Sequence, residues 1–195
     1  MNNNRRGQLL IASPRLQDPN FIRSVVLIVH HDQNGAMGVI LNRPLELSVK
    51  EALSQILESP VELEQPLHVG GPCEGPLVVV HTRRELAGDA EDGGVIPGVF
   101  FAAERQVIEQ LLEDAAEDAS APADGTQLKF FVNYSGWGLE QLESEIESGA
   151  WLTAPASPEQ IFDGTTDKLW SKLFAAITYG EWVDPKRIPD DPSVN

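Results

Sequence analysis

The chain has 195 residues and a net charge of −16, from 30 acidic against 14 basic residues, with 42% apolar residues and a single cysteine, Cys73. A chain of that length can bury a real core without disulfide or metal, and a lone cysteine excludes any disulfide within it. The charge repels nucleic-acid phosphates on average, and the basic neighbours are only Arg5-Arg6, Arg83-Arg84 and Lys186-Arg187, so direct non-specific nucleic-acid binding is not expected.

The N-terminal residues lead into a five-residue apolar stretch with no small-x-small cleavage signal, so no signal peptide is read there. No window approaches the roughly 18 apolar residues of a membrane span. The expected compartment is the cytoplasm. Residues 1–6 are polar and predicted to fray. Residues 8–12 read as a short buried strand stopped by Ser13-Pro14, and Asp18-Pro19-Asn20 is turn chemistry. The β-branched run 24–30, the Gly35-containing turn and the run 36–41 predict a hairpin that ends at Asn42-Arg43-Pro44. Ser48 and Glu51 make a capping box for a helix carrying Val49, Leu53, Ile56 and Leu57 on one face, stopped by Ser59-Pro60.

Residues 67–69 predict a short strand running into Gly70-Gly71-Pro72, and 76–82 a further buried strand. An acidic, Gly-rich loop over 85–98 follows, then a brief strand over 98–102. A helix over 103–117 carries Val107, Ile108, Leu111 and Leu112 as its apolar stripe, and 119–126 is a surface loop. The apolar run ending at Val132 meets a tight Tyr134-Ser135-Gly136-Trp137-Gly138 turn, and then a helix with Leu139, Leu142 and Ile146 on one face and Gly149 just past its end. Residues 151–153 are strand-like. Ser157, Pro158 and Gln160 form a second capping box, and a last helix carries Leu169, Trp170, Leu173, Phe174 and Ile177. The whole reads as one domain over 7–182 with a loose tail over 183–195. Helices interspersed with hairpins predict α+β architecture: a mostly antiparallel or mixed sheet, strongly coiled.

No complete catalytic constellation stands out. His30 and His31 are adjacent on a strand and point to opposite faces, and no His-x-x-His or Cys-x-x-Cys spacing occurs, so no metal is expected. Cys73, just after Gly70-Gly71-Pro72, could serve as a thiolate nucleophile with His31, His68 or His81 as base, but a small buried filler is the usual role of a free cysteine and is preferred. Ser135 lacks the flanking glycines of a nucleophile elbow, since Asn133 and Trp137 hold those positions. No phosphate-binding loop or other cofactor cradle is present. Glu140, Glu143, Glu145 and Glu147 read as a solvated helix face, and Trp137, Trp151 and Trp170 as core. Arg43 is an isolated cation in an acidic chain. It suits bidentate capture of an anion, or an internal ion pair that ties its loop, and the second is preferred.

Taken together, Gly7 to Ser13-Pro14, Asp18-Pro19 with Phe21, and Gly35-Ala36, Gly38 and Asn42-Arg43-Pro44 resemble the bacterial AlgH/YqgE family. Gly70-Gly71-Pro72, His81-Thr82, Tyr134 to Trp137, Gln141-Leu142-Glu143, Trp151-Leu152 and the Trp-bearing last helix follow in that family's order, so the resemblance spans roughly residues 7–178. Two positions depart, because the family usually has glycine where this chain has Asn133 and Glu140. The resemblance implies a compact α+β fold with a coiled, barrel-like sheet flanked by helices. It implies no established enzymatic activity, and a regulatory role is associated with the family name. The expected function is therefore a non-catalytic regulatory or interaction protein acting on an unknown protein partner. The alternative is a small-ligand binder or hydrolase-type enzyme with a pocket lined by Asn42, Arg43, Gly70, Gly71, Cys73, Tyr134, Ser135 and Trp137. That pocket requires three separate loops to converge.

Overall fold

The computed structural model describes residues 4–54, 63–87, 94–117, 125–164 and 166–179, which form one mixed α+β domain built on two five-stranded sheets. The first sheet contains β1 (Gln8–Ala12), β2 (Val25–Asp32) and β3 (Gly35–Ile40). The second begins with β4 (Pro44–Ser48), β5 (Pro66–Val69), β6 (Val78–His81), β7 (Phe100–Ala102) and β8 (Leu128–Val132). The chain then returns to the first sheet with β9 (Ser135–Gly138) and β10 (Trp151–Pro155). Strand order is β10-β1-β2-β3-β9 in the first sheet, antiparallel throughout, and β4-β5-β8-β6-β7 in the second, where β5 and β8 run parallel. Each sheet has two edge strands, so neither closes, and the single coiled, barrel-like sheet expected from the sequence is resolved into two open sheets.

The helices are α1 (Val49–Leu53), α2 (Arg105–Glu117), α3 (Gln141–Glu147), α4 (Pro158–Phe162) and α5 (Thr166–Tyr179). Both predicted capping boxes form: Ser48 with Glu51 opens α1, and Ser157 with Gln160 opens α4. Ile56 and Leu57, predicted on the first helix, lie outside the described residues. Gly149 stands in the left-handed region, φ 77°, past the end of α3.

The second sheet sorts its side chains by alternation. Val79 and Phe130 pack with Ile108, Leu111 and Leu112 of α2, while Val78, Val80 and Phe131 pack into the larger core shared with the first sheet and α5. Strands β1 and β2 are almost wholly buried from Leu9 to Ala12 and from Val25 to Val29, which explains their unbroken apolar runs.

Four differences from the sequence expectations stand out. Strand β4 is an edge strand that begins at a proline, with a register shift against β5, so its pattern is weak in isolation. Residues 135–138 form strand β9 and not a turn. Ser135 and Trp137 are buried while Gly136 and Gly138 face out, a period-two pattern hidden by glycine on the exposed side. Leu139 lies before the helix and is 66% exposed. The stretch predicted to fray, 1–6, is described from residue 4. There the Arg5 N–H donates to His31 Nδ1 at 2.9 Å, while 183–195 falls outside the described residues.

Asn133 and Glu140, the two departures from the family's glycines, both have positive φ, at 63° and 59°. Asparagine tolerates this region and glutamate does so poorly. Glu140→Gly is expected to stabilise the fold by about 1 kcal/mol and to raise the melting midpoint by about 2–4 °C, with a smaller change for Asn133→Gly. Thermal melts followed by circular dichroism check this, and an unchanged or lower midpoint for Glu140→Gly contradicts it.

Candidate functional site

The three loops singled out in the sequence do meet. Gly70 is the knot. Its N–H donates to the Val132 carbonyl at 2.8 Å, and its own carbonyl accepts both the Ile40 N–H and the Ser135 hydroxyl at 2.9 Å. Cys73 and Tyr134 form an antiparallel bridge through both backbone pairs, at 2.9 and 3.1 Å. The Arg43 carbonyl accepts the Val69 N–H at 2.9 Å. A Cβ on Gly70 would overlap the Asn133 carbonyl oxygen, and one on Gly71 would overlap Tyr134 backbone and Ser135 Oγ.

The side chains at this junction are turned inward. Asn42 Oδ1 accepts the Val25 N–H at 2.8 Å, and its Nδ2 donates to the Arg23 carbonyl at 2.9 Å. Arg43 Nη2 donates to the Ile22 carbonyl at 2.8 Å, so it ties down its loop through a backbone carbonyl and not through a carboxylate. Trp137 stacks on Phe21 with ring centroids 6.0 Å apart, and its indole N–H donates to Glu145 Oε2 at 2.9 Å. The same oxygen accepts the Trp151 indole N–H at 2.8 Å. Glu145 is therefore a structural acceptor, and Glu143 lies 3.7 Å from Arg5 Nε and 3.6 Å from His31 Nε2. The predicted solvated acidic face is half taken into the structure. The eight residues are thus brought together as a tightly bonded joint between the two sheets, and none of them lines either of the cavities described next.

One cavity, of about 560 Å³, lies beside the second sheet where α2 and the α4–α5 connection meet it. His68 of β5 and Lys129 of β8 line it. They lie on the same face of their sheet as Phe131, with the His68 ring 5.6 Å from that of Phe131. His68 is only 3% exposed and Lys129 only 5%. Lys129 Nζ donates to the Ile161 carbonyl at 3.0 Å. Burial pulls its ammonium down to about 8, against a smaller opposing pull from the Asp163 carboxylate. Burial, followed by the charge of Lys129, presses His68 down to about 4. Neither ring nitrogen of His68 has a hydrogen-bond partner. The Pro66 and Phe130 carbonyls lie near enough to oppose that fall, but outside bonding geometry. Across the cavity Arg83 and Asp114 pair at 2.9 Å.

His81 is also buried without a partner, beside Phe100 at 5.8 Å, but it lines neither cavity. A second, shallower depression of about 800 Å³ runs past His31, Glu140, Glu143 and Glu147. Among the described residues no group of three or more His, Cys, Asp and Glu is arranged to hold a metal. The sequence pointed to His68 only as a helper for Cys73, and Lys129 was passed over. The available signal was a charge set between Leu128 and Phe130-Phe131, inside a strand otherwise apolar on both faces.

A family model described as AlgH-like, DUF179, matches residues 9–180. A UPF0301 protein of Chlorobaculum tepidum is 39% identical over 192 residues, which is 97% of this chain and 95% of that protein. A UPF0301 protein of Ruegeria pomeroyi is 37% identical over 167 residues, covering 84% of this chain and 86% of its own. The solution structure of the AlgH protein from Pseudomonas aeruginosa is similar at 26% identity and a TM-score of 0.67, covering 91% of both chains. A crystal structure of a Corynebacterium diphtheriae protein agrees in fold at 24% identity and a TM-score of 0.66, covering 89% of this chain and 87% of its own. The chain belongs to the AlgH-like family.

Two predictions separate the joint from the cavity. Ser135→Ala strands part of a buried carbonyl's bonding, and the expected cost is about 1–3 kcal/mol in urea unfolding; a loss near zero contradicts the joint. His68 is neutral when folded, down to about pH 4, whereas an unfolded histidine takes its proton near 6.5. The unfolded state therefore binds more protons inside that window, and stability falls as pH is lowered from about 6.5 to about 4. His68→Phe is expected to remove up to about 3 kcal/mol of that acid loss, leaving the share of His81, which burial shifts the same way. Urea midpoints at pH 7 and 4.5 check it. Equal acid losses in the two proteins count against a neutral His68.

Proposed function

We propose that this AlgH-like chain is a small-ligand-binding protein whose ligand sits in the cavity over His68 and Lys129. One observation carries the reading: an imidazole 97% buried by its 3% exposure, with no partner for either nitrogen, beside a lysine almost as deeply buried. Both nitrogens are covered as the structure stands, so a ligand that pairs them must first part the cover over the ring, and the pairing then recovers the roughly 1–3 kcal/mol that an unpaired buried polar group costs. A volume of about 560 Å³ falls within the range of small-molecule sites, about 300–1,000 Å³. The wall is partly apolar, from Leu63, Leu111, Leu128 and Phe162, with a few convergent polar groups.

In this reading the joint at Asn42, Arg43, Gly70, Gly71, Cys73, Tyr134, Ser135 and Trp137 is the frame that keeps the two sheets in register. A regulatory role fits a ligand-responsive cytoplasmic protein that passes its state to a protein partner. The net charge of −16 favours such a partner over direct contact with DNA or RNA. No helix among the described residues is long and apolar enough to cross a membrane.

Native mass spectrometry of freshly purified protein tests the reading. A small molecule is expected to accompany wild type and to be lost from His68→Phe and Lys129→Met. A ligand retained by both folded variants, or bound in register with loss in Arg43→Ala alone, overturns the assignment of the seat.

A further inference from the structure

The side chains of the cavity narrow what it takes. Five charged groups line it: Lys129, Arg83, Glu64, Asp114 and Asp163. Arg83 pairs with Asp114 at 2.9 Å, and Glu64 with Lys50 at 3.1 Å. Asp163, on the α4–α5 connection, lies 3.6 Å from Lys172 Nζ and also acts on Lys129. An anionic ligand meets no cation here that lacks a carboxylate nearby. An uncharged ligand meets the apolar side chains Leu63, Leu111, Leu128 and Phe162, the Lys129 amine, and charges that already have an opposite charge nearby.

Resting on that ligand seat, we propose that Lys129 is a nucleophilic amine that condenses with an uncharged carbonyl compound, an aldehyde or ketone with an apolar body, beside His68. The Ile161 carbonyl, 3.0 Å from Nζ, fixes where the nitrogen stands, on a side chain that lines the cavity. In the reaction the unprotonated Nζ attacks the carbonyl carbon and a C–N bond forms. The two protons that nitrogen carried pass to the carbonyl oxygen, the C–O bond breaks, and water leaves behind a C=N bond. No oxidant or reductant enters the balance. His68, neutral and near enough for the charge of Lys129 to act on it, is the ring placed to relay those protons once its covered nitrogens are opened.

The charge state of the amine supports the geometry. With its ammonium pulled down to about 8, roughly a tenth of Lys129 is unprotonated at pH 7, against below roughly a thousandth for an ordinary exposed lysine. The groups that face it are His68 from β5, Asp163 from the α4–α5 connection, and the Arg83–Asp114 pair across the cavity.

Pentane-2,4-dione is the test probe. It is small, uncharged at pH 7, and gives a stable vinylogous amide that absorbs in the near ultraviolet. The full chain is treated at pH 7 and digested, and the adduct is located by mass spectrometry. Lys129 is expected to be modified at least tenfold faster than Lys50, Lys168 and Lys172, which serve as comparators within the same molecule. The Lys129→Arg protein keeps a donor for Ile161 and is expected to show only the slow surface reaction. Modification of Lys129 no faster than the surface lysines overturns the proposal, and this readout on wild type does not depend on any variant folding. If Lys129 stays unmodified while native mass spectrometry still finds a ligand that needs His68, the condensation fails and the binding seat stands. If no such ligand is found either, both fail.

Discussion

The structure depends on one close approach. Strand β8 belongs to the second sheet and β9 to the first, and the chain crosses between them at Asn133 and Tyr134. That crossing is possible because Gly70 and Gly71 present bare backbone to it. The Gly70 carbonyl then receives one donor from β3 and one from the Ser135 hydroxyl, so both sheets are pinned at the same oxygen. A side chain at either glycine forces the crossing apart. Trp137 then seats against Phe21 and Trp151, with Glu145 holding both indoles.

The joint and the cavity differ in how their polar side chains are satisfied. At the crossing Asn42, Arg43, Ser135 and Trp137 find partners within the chain. Along the second sheet, Lys129 reaches the Ile161 carbonyl and His68 reaches nothing. Burial weakens the charged form of both side chains, and the charge of Lys129 weakens that of His68 further. A pair of that kind adds little to stability, and in the proposed reading its place beside the cavity serves the ligand.

Much of the fold was legible because it rests on local rules. The two capping boxes, the 24–41 hairpin and the α2 stripe each need only a short window of sequence. What was not legible depends on partners distant in sequence. Strand β9 alternates a buried Ser135 and Trp137 with exposed glycines, and it becomes a strand only through pairing with β3. Glu145 reads as one more acid on a helix until Trp137 and Trp151 are placed over it. The eight motif residues marked the joint, since glycines and inward-turned polar groups are what a crossing of two sheets demands. The cavity was missed for the opposite reason. His68 and Lys129 sit 61 positions apart on strands that run parallel, and nothing in a local window links them.

The most direct measurement is an NMR titration of the lysine side chains, following their Cε and Nζ signals from pH 6 to 11. One lysine signal, lost in Lys129→Arg, is expected to titrate near 8 while the exposed lysines titrate about two units higher, close to 10.4. A Lys129 that titrates with the others near 10.4 would contradict it, because the cavity would then hold an ordinary solvated ammonium.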